Sequence, residues 1–535
     1  MRPRDARLEL ELAERIRTRL EGMRSARSHW EPVWRDLSDY ILPRKNSFGS
    51  GMQRGSAGDE LIYDSTPTHA LEQLASGLGG LLTNPSLPWF GIRVRESDMA
   101  DRRDVRVFLQ QARERMIRLF NTESTGFQAH VHELYLDIVL LGTAVMYVEA
   151  DPDTVVRFST RPLGEVYVAE SARGVVDTVF RHYELTARQA LQEWGEDCSE
   201  RVRNLAADRP EDKVEILHAV FPRADRDPAG FTSADFPWAS VQLELETSHV
   251  LEESGYLEMP YMAPRWSKAA GETYGRGPGL TSLSDVRVLN AMSRTALMAA
   301  EKMSDPPLMV PDDGFLGPVH TGPGGLSYYR AGSRDRIEAM PVAVDLKSAE
   351  EMMRTRRESV RRIYLSDQLS PEGPGMTATE AVIRQSEKMR LLGPVLGRMQ
   401  TEFLSPLIRR VFNILLRAGE LPQLPSGLRA RDLDVEYLSP VARAQKQYEA
   451  QSLLQVVDYL GPFLRSGDPY GIMDNFETDR IARHAAEMFG TPGDYLRPED
   501  EVRLRRQERM KAAQGATLAD QAGEEASQEA GGAAQ

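Results

Sequence analysis

Apolar residues recur every three or four positions towards both ends of the chain and every second position in its middle. Leu8, Leu12, Ile16, Leu20 and Met23 fall at helical spacing between charges, which predicts an amphipathic helix. Trp30, Trp34, Leu37 and Ile41 carry that period on until Pro43 stops it. Residues 46–60 are rich in Gly and Ser and read as a loop. Thr66-Pro67 opens a third helix, with Leu71, Leu74, Leu78 and Leu81 on one side. Proline is tolerated there because the N–H it lacks has no helical partner in the first turn. Helices over about 101–121 and 124–141 follow.

The period then changes to two. Residues 144–148, 155–158, 165–168 and 175–183 are β-rich runs divided by turn residues, with further strands near 213–221, 238–246 and 249–257. They predict a small antiparallel sheet. A Thr-x-x-Gln capping box opens a short helix over 186–194. From about 279 the period is helical again. Leu283, Val286, Leu289, Met292 or Ser293, Ala296 and Ala300 mark one long helix ending before Asp305-Pro306-Pro307. A Gly/Pro-rich segment runs to Pro341, and a second long helix spans 346–365. After a loop at 366–376, a third long helix runs to about 417, interrupted by Gly393-Pro394 and by Pro406, so it should kink. A strand at 432–438 and helices near 440–461, 476–489 and 498–512 precede a tail of Ala, Gly, Glu and Gln whose composition predicts disorder. The fold class is mainly α with inserted antiparallel β, an α+β chain.

The length of 535 residues suggests three to four domains at about 150 residues each. Acidic residues outnumber basic ones 80 to 66, a net charge of −14. A surface that clamps nucleic acid throughout should be basic, so only a local basic patch remains open. Eight of the basic residues are Lys and the rest Arg, which suits interface ion pairs and equally a GC-rich genome. One cysteine, Cys198, rules out an intrachain disulfide and a cysteine-based zinc site. The charged N-terminus has no signal-peptide core. The most apolar stretch, 134–148, contains Asp137 and Gly142 and is too short to span a bilayer. The chain reads as soluble and unexported.

No catalytic constellation emerges. There is no P-loop and no nucleophile elbow. Gly275-Arg-Gly277-Pro-Gly279 has the glycines of a phosphate loop, but its proline removes a donor and no strand–turn–helix unit surrounds it. A tight turn before the next helix explains it better. His132-Glu133 lacks the second histidine of a zinc-protease helix. Glu149-x-Asp151-x-Asp153 could seat a divalent cation for a nucleic-acid enzyme; Asp-Pro-Asp is also a common turn. The helix at 346–365 has a local charge of +3, from Lys347, Arg354, Arg356, Arg357, Arg361 and Arg362 against Glu350, Glu351 and Glu358. It is either a solvated face with i,i+4 pairs or a surface for a neighbouring subunit or nucleic acid. The whole points to structural machinery rather than an enzyme, with no cofactor and no metal.

The order of motifs resembles the portal proteins, or head-to-tail connectors, of short-tailed, podovirus-type bacteriophages. The matching pieces lie at 34–43 (WRDLSDYILP), Tyr63-Asp-Ser-Thr66, Pro88-Trp89-Phe90, Leu141-Gly-Thr-Ala144, Tyr274-Gly-Arg-Gly-Pro278, Asp305-Pro-Pro-Leu308 and Met376-Thr-Ala-Thr-Glu380-Ala-Val-Ile-Arg384. The resemblance implies a homo-oligomeric ring of twelve subunits at one capsid vertex, passing double-stranded DNA through a central channel without reading its sequence. It implies a wing (1–278), a first stem helix (279–305), a clip (306–341), a second stem helix (342–365), a tunnel loop (366–376), a kinked wing helix (377–425), a crown (426–512) and a tail (513–535). The implied tunnel loop is Asp367, Gln368, Leu369, Ser370, Pro371, Glu372, Gly373, Pro374, Gly375 and Met376, which contains no Lys or Arg. The implied stem face is Lys347, Arg354, Arg357 and Arg361, and the kink lies at Gly393 and Pro394. Implied partners are the terminase large subunit, major capsid and scaffolding proteins, a tail adaptor and internal core proteins, with no membrane. Small residues Ala296, Ala299 and Ala300 would let stem helices approach closely. An acidic subunit suits a conduit, because a strongly basic wall would hold phosphates and stall movement.

Overall fold

The computed structural model describes residues 6–366 and 392–437 with short breaks at 46–47, 49–61, 96–98, 100–101, 228, 231, 311–317, 321, 323, 329–336, 341–344 and 430–431. It also describes 455, 477, 479–483, 497 and 501–511. Of the helix expected near 440–461 only residue 455 is described, and nearly all of the loop expected at 366–376 and the tail after 511 lie outside the described residues. The helices expected near 476–489 and 498–512 are described only at 477, 479–483 and 501–511, the last two stretches being helical.

The helices, in chain order, are α1 (Ala6–Arg27), α2 (Glu31–Ile41), α3 (Thr66–Leu82), α4 (Arg103–Asn121), α5 (Phe127–Leu141), α6 (Ala187–Trp194), α7 (Glu200–Asp208), α8 (Pro278–Ser304), α9 (Leu346–Ile363) and α10 (Ser405–Arg417). The strands are β1 (Phe90–Val94), β2 (Val145–Asp151), β3 (Val155–Arg161), β4 (Val166–Glu170), β5 (Val176–Thr186), β6 (Lys213–Pro222), β7 (Trp238–Glu244), β8 (Val250–Tyr256), β9 (Tyr261–Met262), β10 (Leu308–Met309), β11 (Glu338–Ala339) and β12 (Leu433–Tyr437). The chain forms two compact units, one of residues 1–87 with 119–415, the other of 88–118 with 416–535.

In the first unit the expected single sheet is two. β4-β5-β6-β7-β8 is a five-stranded antiparallel meander, and β3-β2-β9 is a separate three-stranded sheet. The second sheet needed β9, two residues long and too short to show any alternation. Ala13, Ile16, Leu20 and Met23 of α1 pack on Phe180, Leu217, Val241 and Leu243 from one face of the meander. Leu8, expected on the same stripe, is 63% exposed. The meander's other face carries a second apolar cluster with Val214, Ile216 and Leu251, and His218 on that face joins Tyr261 of the smaller sheet (Nδ1 to the hydroxyl, 2.8 Å) and Ser240 (Nε2 to Oγ, 3.0 Å). Burial pushes the His218 imidazole down to about 3, so it is neutral at physiological pH. α6 carries the capping box read from the sequence, the Thr186 hydroxyl accepting from Gln189 N–H and the Gln189 carboxamide accepting from Thr186 N–H. α7 was not expected; Ser199 caps it and Val202 seats it beside Cys198.

The third long helix, described from 392, is helical over 392–399, opens into a π turn at Gln400–Leu404 and continues as α10. The second unit holds β1 paired antiparallel with β12, Phe90 opposite Tyr437 and Val94 opposite Leu433, and α4 up to Arg118. β12 coincides with the expected strand. β1 was not anticipated: its partner lies far away in sequence, so no local signal marks it.

Candidate functional site: the root of a helix pair

α8 and α9 run antiparallel. Their near ends are folded into the first unit and their far ends are not. Ser282, Leu283, Val286 and Leu289 of α8 are buried, and so are Met353 and Val360 of α9 and Tyr364 just beyond it. Leu289 is the last buried residue of α8 and Met353 the first of α9. Beyond them the apolar side chains face solvent, among them Leu297, Met298, Met303 and Met352. At the far end β10 pairs with β11, Leu308 opposite Ala339, and Met340 N–H donates to the Pro307 carbonyl at 2.8 Å. The chain leaving α8 and the chain returning towards α9 are thereby held together.

The near ends are joined by polar contacts that leave few buried groups unpaired. The hydroxyls of Ser282 and Tyr364 are 3.1 Å apart, and burial raises the Tyr364 phenol well above its ordinary value. Asp285 on α8 accepts from Arg356 (2.8 Å) and Ser359 (2.9 Å) on α9. Asp64, just before α3, accepts from Thr66 N–H at 2.9 Å and from Arg357 Nε at 2.8 Å. Burial acts to raise the Asp64 carboxyl, but the hydrogen bonds of Thr66 and Arg357 outweigh it and hold the group below the usual carboxylate range. Tyr63 N–H donates to Asn290 on α8 at 2.7 Å.

α8 starts at a backbone junction that only glycine allows. Gly142 ends α5 in the left-handed region (φ 83°). A Cβ there would lie 2.4 Å from the Gly275 carbonyl oxygen, and one on Gly279 would lie 2.3 Å from that of Leu140. Thr143 Oγ1 accepts from Gly275 N–H at 2.7 Å. The Leu141-Gly-Thr and Tyr274-Gly-Arg-Gly-Pro motifs are thus two halves of one close backbone contact, and the glycine run is a turn rather than a phosphate cradle. Tyr274 packs edge-on against Trp34 with ring centroids 5.0 Å apart, so the tryptophan helix α2 joins the same junction.

Two members of the implied stem face, Arg354 and Arg357, are paired within the subunit. Arg354 pairs with Glu351 at 2.6 Å and Glu358 at 3.5 Å on its own helix, and Arg357 turns inward to Asp64. Lys347 and Arg361 have no ion pair among the described residues. Gly393 and Pro394 lie within 392–399, at the start of the described part of their helix. Asp367, Gln368, Leu369, Ser370, Pro371, Glu372, Gly373, Pro374, Gly375 and Met376 lie outside the described residues. The Glu149-x-Asp151-x-Asp153 run sits at the β2–β3 hairpin, where Asp151 accepts from the backbone (2.9 Å) and hydroxyl (2.6 Å) of Thr154. That is a turn, and no group of three or more His, Cys, Asp or Glu among the described residues could hold a metal ion. No described helix is long and apolar enough to cross a membrane.

Sequence reasoning missed Asp64, Asp285 and Tyr364 as members of this site. Asp64 had a local signal, an Asx-type turn just ahead of Thr66-Pro67. Tyr364 had a periodic one, four residues after Val360 and eleven after Met353. Asp285 had none, since its partners are on another helix.

The model of the family described as "Bacteriophage head to tail connecting protein" matches residues 13–496. The chain is 34% identical over 514 residues to the "Probable portal protein" of Bordetella phage BPP-1, covering 93% of this chain and 92% of that one. It is 32% identical over 518 residues to the "Portal protein" of Salmonella phage epsilon15, covering 94% and 92%.

Proposed function

This chain belongs to the family of bacteriophage head-to-tail connecting proteins, and from that premise we propose that it is the portal subunit. Copies close head to tail into a ring at one capsid vertex, and double-stranded DNA enters and leaves through the central channel. The observation that carries the ring reading is the helix pair. A single chain buries the near ends of α8 and α9 and leaves Leu297, Met298, Met303 and Met352 in water. A closed head-to-tail interface buries two unlike faces of each subunit, and a neighbouring copy of the pair would cover these side chains.

In this reading α8 and α9 are the stem, the 306–341 insertion is the clip that meets the terminase large subunit and later the tail adaptor, and 366–376 lines the channel. The 426–512 region faces the capsid interior and its core proteins. Of the four residues of the implied stem face, Lys347 and Arg361 are left for DNA phosphates or a neighbour, whereas Arg354 and Arg357 act within the subunit. The protein does no chemistry of its own and needs no cofactor; a separate terminase motor supplies the work. Electron micrographs of the purified chain with and without scaffolding protein test this. The expected image is a ring with a central hole. Particles without a hole under both conditions would contradict it.

A further inference from the structure

Arg265 is 1% exposed, and its bonds converge on a distorted turn of helix 137 residues away in sequence. Glu402 accepts four hydrogen bonds: from the backbone N–H of Arg265 at 3.0 Å, from Arg265 Nε at 3.1 Å, from Arg265 Nη2 at 2.8 Å and from Arg398 Nη1 at 2.9 Å. Arg265 is itself fixed from the other side. It donates to the carbonyls of Thr273 (3.1 Å) and Gly174 (3.2 Å) and pairs with Glu170, which Lys268 also holds. Burial alone would lower the Arg265 guanidinium, but Glu402 and Glu170 outweigh it and keep it charged. The fork of a guanidinium grips a carboxylate in one orientation, which a lysine would not do.

Glu402 lies inside the π turn Gln400–Leu404, where Ser405 N–H reaches back five residues to the Gln400 carbonyl. Such a turn is an α-helix carrying one residue too many, and it does not persist without a cause. Two causes are present. Pro406 has no N–H, and in a regular helix its ring would meet the carbonyl four residues earlier, that of Glu402. A proline is ordinarily accommodated by a kink, so it does not by itself select the wider turn. Arg265 does, because it is anchored to Glu170, Gly174 and Thr273 and holds Glu402 at one azimuth on the helix.

We propose that the Arg265–Glu402 pair is a register latch that keeps this helix in its π form. Opening the pair lets the turn rewind to an α-helix kinked at Pro406, which rotates residues 392–399 by about 100° and shifts them by about 1.5 Å relative to α10. The latch gives the helix two discrete states, as a switching element requires. It is independent of the portal reading.

The test is to determine the structure of the full-length chain, in whatever assembly it adopts, for the native sequence, Pro406→Ala, and Pro406→Ala combined with Glu402→Ala. The latch predicts a π turn in the first two and a regular α-helix in the third. A regular helix in Pro406→Ala alone would assign the register to the proline and overturn the proposal, as would a π turn surviving in the double variant. Pro406→Ala with Glu402→Gln keeps a neutral hydrogen-bonding group beside Arg265 and guards against misfolding of the alanine pair. It is expected to rewind in part of the molecules, and an unchanged π turn in it also overturns the proposal.

Discussion

The two halves of the α8–α9 pair are built on opposite principles. In the near half Leu283, Val286 and Leu289 are covered by the subunit itself, and the polar groups between the helices have partners in Asp285, Ser282, Tyr364 and Asp64. In the far half Leu297 is 51% exposed and Met352 61%, although both belong to long, regular helices. The near half needs only its own chain to be stable. The far half leaves several large apolar side chains in water, and an exposed apolar surface of this kind is a candidate interaction site. On the proposed ring reading that partner is the next copy.

The contrast breaks most sharply at the junction beneath the near half. Gly142→Ala adds a Cβ at a left-handed residue and against the Gly275 carbonyl, so it should destabilise the subunit by roughly 4 kcal/mol, read as a lower denaturation midpoint. Leu289→Ala removes a side chain that is 0% exposed and should cost about 3 kcal/mol. The same measurement on Leu297→Ala should show less than ~0.5 kcal/mol while assembly weakens. Equal effects at the two positions would dissolve the distinction between the halves.

Asp64→Ala removes the acceptor of Thr66 and Arg357 and should cost roughly 2 kcal/mol at neutral pH. Its pH dependence has a definite sign. The folded carboxyl is held below its unfolded value, so its contribution is present above about pH 4 and is lost as the pH falls through the folded value. Acid titration of stability below pH 4 should therefore be shallower in Asp64→Asn than in the native chain. Apart from the near-neutral Leu297→Ala, the smallest effect on stability is expected away from the helix pair: Thr186→Ala, which removes the cap of α6, should cost about 1 kcal/mol.

What was legible in the sequence was local. The Thr186 capping box, the helices α8 and α9, the strand periods and the hairpin at Asp151 each depend on residues a few positions apart, and these appear where their patterns place them. The order of the motifs was legible too, but not their meeting. Gly142 and Gly275 carry no mark of the contact they make, and Arg265 no mark of Glu402. β1 was invisible for the same reason, its pairing with β12 being decided by tertiary contact rather than by propensity. The π turn was read as a simple interruption, since Pro406 predicts distortion without saying which kind.

The most direct test of the account is the mass in solution of the native chain and of a variant carrying Leu297→Ser and Met298→Ser, measured by light scattering. The native 60.0 kDa chain should give a closed particle of about 720 kDa if twelve copies assemble. The variant should remain a single chain with an unchanged melting temperature. A native protein that stays monomeric with scaffolding protein present, or a variant that assembles as well as the native chain, would contradict the claim that the far half is completed by a second copy.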